Sequence, residues 1–405
     1  MKKYSIYLLT GIFSVLLCVS VLNWIINPYD IFLSPSITGF NDYKSEVERH
    51  TRLSKIYQVE KILPDIVLLA SSRGLVVKDK HFSENGLVGL NLSLPSSSTY
   101  ELLRVLQHAL AMHPLKKVIL ALDEEFTDTV QPNFSEGRLA VNYDGTVNDD
   151  KWKQAWRDVL FSLLSADGLS SSIRTIRKQK YSPDSPEFEK HNSERIFKAG
   201  GHRQMFRTME ASAFSGHEKI YDDCMNVVTD SNNIKEDGQI HFQKIVELAY
   251  ENNIELYIYI SPVHARYYEA KCMLGKWHEI ENMKRKIVSI VEESAKTFGY
   301  QSYPIWDFSG YNSVTSEPVP ELGDRTSRMA WYWEGSHYSY KTAEIIFDKL
   351  FGGTEGPDDF GVQLTSGNIE QHLNVIRKQR ETYLKAHINE ADELRSIFEG
   401  VRLGK

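Results

Sequence analysis

Hydrophobic positions along this chain follow two rhythms. The first is a single uninterrupted block: after Met1-Lys2-Lys3 the 26 residues from Tyr4 to Tyr29 carry no charged side chain. About 20 apolar residues in a helix cross the hydrocarbon core of a bilayer, so this run predicts one spanning helix with some tilt. Lys2 and Lys3 favour a cytoplasmic N-terminus, and Trp24 and Tyr29 suit the far interface. No small-x-small cleavage site follows the block, and Leu16-Leu17 before Cys18 is a poor setting for lipoprotein processing. The expectation is therefore an uncleaved signal anchor over 1–29, a juxtamembrane segment over 30–59, and everything after Asn27 outside the cytoplasm.

The second rhythm begins at Pro64, where short β-branched runs alternate with segments of helical period, the mark of an α/β sheet. Strands are predicted at Asp65–Leu69, Val88–Leu92, Lys117–Leu122 and Ile254–Ile260, with a short one at 303–308. Ser98-x-x-Glu101 reads as a capping box opening a helix with Leu102, Leu103, Leu106 and Leu110 on one face. Further helices are predicted at 237–252, through Ile280, Met283, Ile287 and Val291, and from near His337 through Ala343, Ile346, Phe347 and Leu350. Between Asp123 and about Gln239 the alternation stops. Trp152–Leu164 and Ser170–Lys180 are helical there, and the stretch at about 130–236 reads as an insertion into one large domain over 60–353. A polar tail over 354–405 carries one long helix, about 368–398.

Composition narrows the function. The 405 residues are 41% apolar and 11% aromatic, too rich for a disordered chain. Net charge is −7, and without Lys2 and Lys3 the rest holds 45 basic against 54 acidic residues, net −9. That balance disfavours nucleic acid as a partner, because phosphate binding needs a positive surface. Three Cys are too few for a disulfide scaffold, but an oxidising compartment permits Cys224 and Cys272 to pair. No P-loop, dinucleotide fingerprint or zinc spacing is present, so no cofactor is expected.

In open parallel sheets, sites form beyond the carboxyl ends of the strands. Ser72, Asp123 and the group Glu334-Gly335-Ser336-His337 fall there or just before a helix. A serine hydroxyl needs a base to become a nucleophile, which His337 would supply. Glu334 would orient the imidazole and stabilise its cation. Each signal has a plain structural reading as well, since Ser72 can cap a helix and Glu334-x-x-His337 can be a solvated helix start. Arg73 is suited either to a substrate carboxylate or to one of the nearby acids. His264 is either a substrate contact or a loop histidine bonded to backbone. Asp123, Glu124, Glu125 and Asp128 offer oxygens to a divalent cation, without an identifiable second ligand group.

PDIVLLASSRG, NLSLPSSSTYE, KVILALDEEF, ISPVHA, IWDFSGYN and WYWEGSHYS, in that order, resemble the SGNH/GDSL hydrolase superfamily. They look most like its single-span, membrane-anchored branch, related to the alginate O-acetylation proteins and the D-alanyl-lipoteichoic acid accessory protein. The resemblance covers roughly 60–125 and 250–350. It implies a flavodoxin-like α/β/α sandwich with Ser72 as nucleophile and Glu334 and His337 completing a triad. It implies a bacterial inner-membrane protein with a periplasmic or extracellular domain, a glycan substrate and a polytopic membrane O-acyltransferase as partner. The activity implied is O-acetylation or deacetylation of a cell-surface polysaccharide through an acyl-serine. Three departures stand out. Ser96 replaces the glycine whose N–H serves the oxyanion hole, Asp123 stands where the family has an Asn donor, and Glu334 replaces Asp. The loss of the Asn donor and of the block glycine favours the alternative of a non-catalytic scaffold or binding subunit. A metal-dependent phosphoesterase built on the Asp123 cluster is the third reading.

Overall fold

The computed structural model describes residues 2–83, 86–127, 129–182, 186–227 and 236–404. Its helices are α1 (Lys2–Ile26), α2 (Thr51–Ile62), α3 (Thr99–Met112), α4 (Lys151–Leu164), α5 (Ala166–Lys178), α6 (Pro186–Lys198) and α7 (His202–Phe214). They continue as α8 (Glu236–Glu251), α9 (Ala265–Met273), α10 (Trp277–Phe298), α11 (Tyr340–Leu350), α12 (Ile369–Ala386) and α13 (Ile388–Arg402). The strands are β1 (Ile66–Leu69), β2 (Gly89–Asn91), β3 (Lys117–Leu122), β4 (Glu255–Ile260), β5 (Ile305–Asp307) and β6 (Val362–Leu364).

The chain divides into two compact units, and the division differs from the expected single domain with an insertion. One unit comprises Met1–Pro64, Arg104–Pro114 and Gln131–Asn192, and the other Asp65–Leu103, Leu115–Val130 and Ser193–Lys405. The first part of the insertion joins the N-terminal unit because α4 and α5 pack on α1 and on each other. Helix α1 is long and apolar enough to cross a membrane, and the most apolar 18-residue stretch within Lys3–Ile26 has a mean hydropathy of 2.3.

The second unit is built on a six-stranded sheet of order β2-β1-β3-β4-β5-β6, parallel except for β6. Every residue of β1 is buried, as expected for a strand covered on both faces. Side chains alternate across the sheet, and Ile66, Leu68, Ile119 and Tyr259 pack with Ala343, Ile346, Phe347 and Leu350 of α11. The capping box holds: the Glu101 N–H donates to Ser98 Oγ (3.2 Å) and the Ser98 N–H to Glu101 Oε2 (3.3 Å). Strand order reverses between β1 and β3, so the segments after Leu69 and Leu122 flank the crevice where such sheets bind ligands.

Two local expectations are corrected. The helix expected from near His337 starts at Tyr340 with Ser339 as its cap, because Tyr332 and Tyr338 form an antiparallel bridge that holds Glu334–His337 in a tight loop. The tail has two helices instead of one, preceded by β6. The break at His387 (φ −124°, ψ 44°) turns α13 so that Leu394, Ile397 and Phe398 join Phe214, Ala270 and Met273. Cys224 and Cys272 are joined in a disulfide.

Arg266 and Glu210 are fully buried partners, with Nε–Oε1 2.5 Å and Nη2–Oε2 2.9 Å, and Glu393 accepts from Arg266 Nη1 at 2.6 Å. A buried pair is costly to break from one side, because the remaining charge has no solvent. Arg266→Met is therefore expected to lower unfolding stability by about 3–5 kcal/mol in urea denaturation. Arg266→Met with Glu210→Met is expected to recover most of that loss.

Candidate active site

Strand β1 delivers the chain to Ala70 and Ser71, and a 3₁₀ turn over Ser72–Val76 follows at once. Ser71 caps that turn, its Oγ accepting from the Arg73 N–H at 3.4 Å. Gly74 is required here: a Cβ would lie 2.3 Å from Ser93 Oγ and 2.4 Å from Ala70 Cβ. Asn91, on β2, braces the turn by donating to the carbonyls of Gly74 and Val77, both at 2.7 Å. Ser72 stays partly exposed at the start of this braced turn.

The loop before α11 brings the other two residues. His337 Nε2 lies 2.9 Å from Ser72 Oγ, across 265 positions of sequence. Its Nδ1 bonds to the Glu334 carboxylate. An ionised carboxylate can only accept, so Nδ1 carries the proton and Nε2 is left as the acceptor facing the serine. Ser336 fixes Glu334, donating from N to Oε2 (3.0 Å) and from Oγ to Oε1 (3.1 Å). Glu334 is nearly buried, whereas the His337 side chain is 35% exposed and open to a ligand.

Arg73 is not free for a substrate carboxylate. It is buried against Glu124, with Nη1–Oε2 2.5 Å and Nη2–Oε1 3.1 Å, and lies 3.0 Å from Asp123 Oδ1. Its Nε donates to the Ser336 carbonyl at 3.0 Å. Burial opposes the charge on both partners of the Arg73–Glu124 pair. The two acids nevertheless raise the guanidinium, and Arg73 with Lys271 holds Glu124 below the usual carboxylate range. Burial raises Asp123, against the pull of Arg73. Asp123 accepts from Ser71 Oγ at 3.0 Å and, 29% exposed, lines a small surface cleft with Ser71, Ser97, Thr99, Glu125 and Thr127.

Of the two readings of His264, the backbone-bonded histidine matches its surroundings. It is buried, its Nδ1 accepts from the Arg266 N–H (3.2 Å) at the start of α9, and its Nε2 donates to the Glu317 carbonyl (2.7 Å). Its own N–H donates to the Gly335 carbonyl in the loop before α11 at 2.9 Å. Ser96 occupies an exposed left-handed turn, φ 51°. Among the described residues no group of three or more His, Cys, Asp or Glu is arranged to hold a metal. Glu125 and Glu124 face Lys271 at 2.9 and 3.8 Å, and Asp128 lies outside the described residues.

Asn91 and Glu124 were not picked out by sequence as parts of this site. Glu124 was visible only as one of several adjacent acids, and Asn91 had no local signal. The chain was compared with known proteins, and no family model and no curated protein matches it.

Burial lowers the His264 imidazole to about 3 from an ordinary 6.5. The folded state resists its protonation, so this contribution is complete above pH 6.5 and is lost as pH falls from 6.5 towards 3, by up to about 1.4 kcal/mol per pH unit. His264→Asn, which keeps a cap acceptor, is expected to flatten the pH dependence of unfolding in that window.

Proposed function

We propose that this protein is a membrane-anchored serine acyltransferase or esterase acting outside the cytoplasm on a glycan, most concretely O-acetylating or deacetylating a cell-surface polysaccharide. The observation that carries this reading is the relay Ser72 Oγ to His337 Nε2, 2.9 Å, backed by Glu334 on Nδ1. Strand order supports it too: 2-1-3-4-5 is the flavodoxin-like order, with Ser72 and Asp123 beside the switch point. The left-handed backbone at Ser96 supports its equivalence with the glycine of the SGNH/GDSL pattern, since glycine adopts that conformation without strain.

In this mechanism Ser72 Oγ attacks the acyl carbonyl as its proton passes to His337 Nε2. Glu334 stabilises the imidazolium. Collapse of the tetrahedral intermediate breaks the bond to the leaving alcohol, which takes the proton from His337, and leaves an acyl-serine ester. An incoming sugar hydroxyl or water then gives its proton to His337 and attacks that ester. Collapse releases Ser72, which takes the proton back. The Ser96 N–H is one oxyanion donor, and Asp123 is engaged with Ser71 and Arg73.

Placement follows from α1. Lys2 and Lys3 support a cytoplasmic N-terminus, and the resemblance to the membrane-anchored SGNH/GDSL branch favours a bacterial inner membrane with the enzyme unit in the periplasm or outside. The Cys224–Cys272 disulfide supports an oxidising compartment. A polytopic membrane O-acyltransferase would supply the acyl group. The rival reading, a non-catalytic scaffold in a polysaccharide-modification complex, draws on Asp123, because losing one oxyanion donor typically costs about 10²–10³ in rate.

Full-length protein in detergent, treated with a fluorophosphonate, separates the two. Covalent labelling at Ser72, absent in Ser72→Ala and slowed about 10²–10⁴-fold in His337→Ala, is expected of the enzyme. A folded wild-type protein that takes no label at Ser72 is the scaffold.

A further inference from the structure

Helix α4 is turned inside out. Its inward face is polar: Asp158 is buried and accepts from Arg138 Nε (2.8 Å), Arg138 Nη2 (3.0 Å) and the Tyr57 hydroxyl (2.9 Å), and Ser162 is buried beside it. Its outward face is apolar. Trp152, Trp156, Leu160 and Leu164 recur every four residues, with the two indoles 60% and 61% exposed. A helix on a water-facing surface shows the opposite arrangement, and a contiguous apolar stripe of this kind marks a contact with something other than water.

The contact can be identified from where α4 is held. Counting about 20 residues of hydrocarbon from Tyr4 brings α1 to the outer edge of the core near Asn23. At that level α1 is bolted to α4 and α5. Asn23 Nδ2 donates to the Leu163 carbonyl (3.0 Å), and Ser172 Oγ donates to Asn23 Oδ1 (2.8 Å). The last carbonyls of α1 are closed by Asn41 Nδ2 on Ile25 (2.6 Å) and Lys44 Nζ on Ile26 (2.7 Å). The C-terminal end of α4 thus meets α1 at the boundary between hydrocarbon and headgroups. Lys153 and Arg157 flank its apolar stripe, which carries the tryptophans and cations that suit a headgroup layer.

We propose that α4 lies in the headgroup layer of the bilayer that α1 crosses, with the Trp152, Trp156, Leu160 and Leu164 face entering lipid. The occupant of this face is the lipid interface. The N-terminal unit is then a collar on the membrane, attached by an interfacial helix as well as by a spanning one. This rests on the membrane reading of α1, and the test separates the two.

Cys18, in α1, is the free cysteine and is exposed, so it takes an environment-sensitive fluorophore such as NBD. Full-length protein labelled there reports insertion of α1. Trp156→Cys in a Cys18→Ala background, and separately Leu160→Cys in the same background, report α4. Each is reconstituted into phosphatidylcholine vesicles containing phosphatidylglycerol. Blue-shifted emission at 18, 156 and 160, with 156 and 160 quenched by lipid bearing a nitroxide near the headgroup, is the expected result. A blue shift at 18 with none at 156 and 160 overturns the interfacial placement and leaves the anchor intact. Shifts at 156 and 160 only in native membranes identify a protein occupant and also overturn it. Absence of a shift at 18 removes the anchor reading, and the proposal with it.

Discussion

The guanidinium of Arg73 holds together three pieces of chain that the sequence keeps far apart. It sits in the turn after β1, forms a two-pronged ion pair with Glu124 after β3, and donates to the Ser336 carbonyl in the loop before α11. A buried arginine must have all of this or be expelled, because a charge out of water is tolerated only when paired and hydrogen-bonded. Its planar fork also suits the task better than an ammonium would, since it meets a carboxylate on one edge and a carbonyl on another. Ser72 precedes Arg73 and His337 follows Ser336, so the arginine sets the serine–histidine distance from the residues next to both.

Around that centre the site is arranged in layers of decreasing rigidity. Asn91 and Gly74 determine the path of the serine turn, one by bonding two carbonyls and the other by having no side chain where Ser93 and Ala70 press in. The His264 N–H and the Tyr332–Tyr338 bridge hold the histidine loop from opposite sides. Ser72 and His337 stay partly exposed, and Asp123 lines a cleft with Ser71, Ser97 and Thr99. Preorganisation of this kind lets a catalytic group act without waiting for its neighbours to move.

The N-terminal unit follows a different logic. Helix α4 buries a carboxylate and a hydroxyl and leaves indoles and leucines outside, while α2 buries Leu53, Ile56 and Val59 in the usual way. Small buried side chains on α5, Ser171, Ser172 and Thr175, accompany the closure of the end of α1 by amides and a lysine.

By itself, the sequence determined the elements whose causes are local. The uncharged run from Tyr4 to Tyr29 specified α1, and the strands β1, β3 and β4 were legible as short apolar runs because a sheet buried on both faces asks for little else. The capping box at Ser98 and Glu101 was legible for the same reason, since both partners lie within one turn. The chemistry was visible as residue types in a suggestive order. Tertiary structure alone decided what those types do. Arg73 and His264 were open between ligand contact and structural pairing, and only burial, set by distant segments, assigned both to the protein. Asn91 had no local signature because its partners, the carbonyls of Gly74 and Val77, lie 17 and 14 residues earlier in another segment. The break at His387 and the three-residue β6 escaped for a related reason: each is chosen by what it packs against, not by its own periodicity.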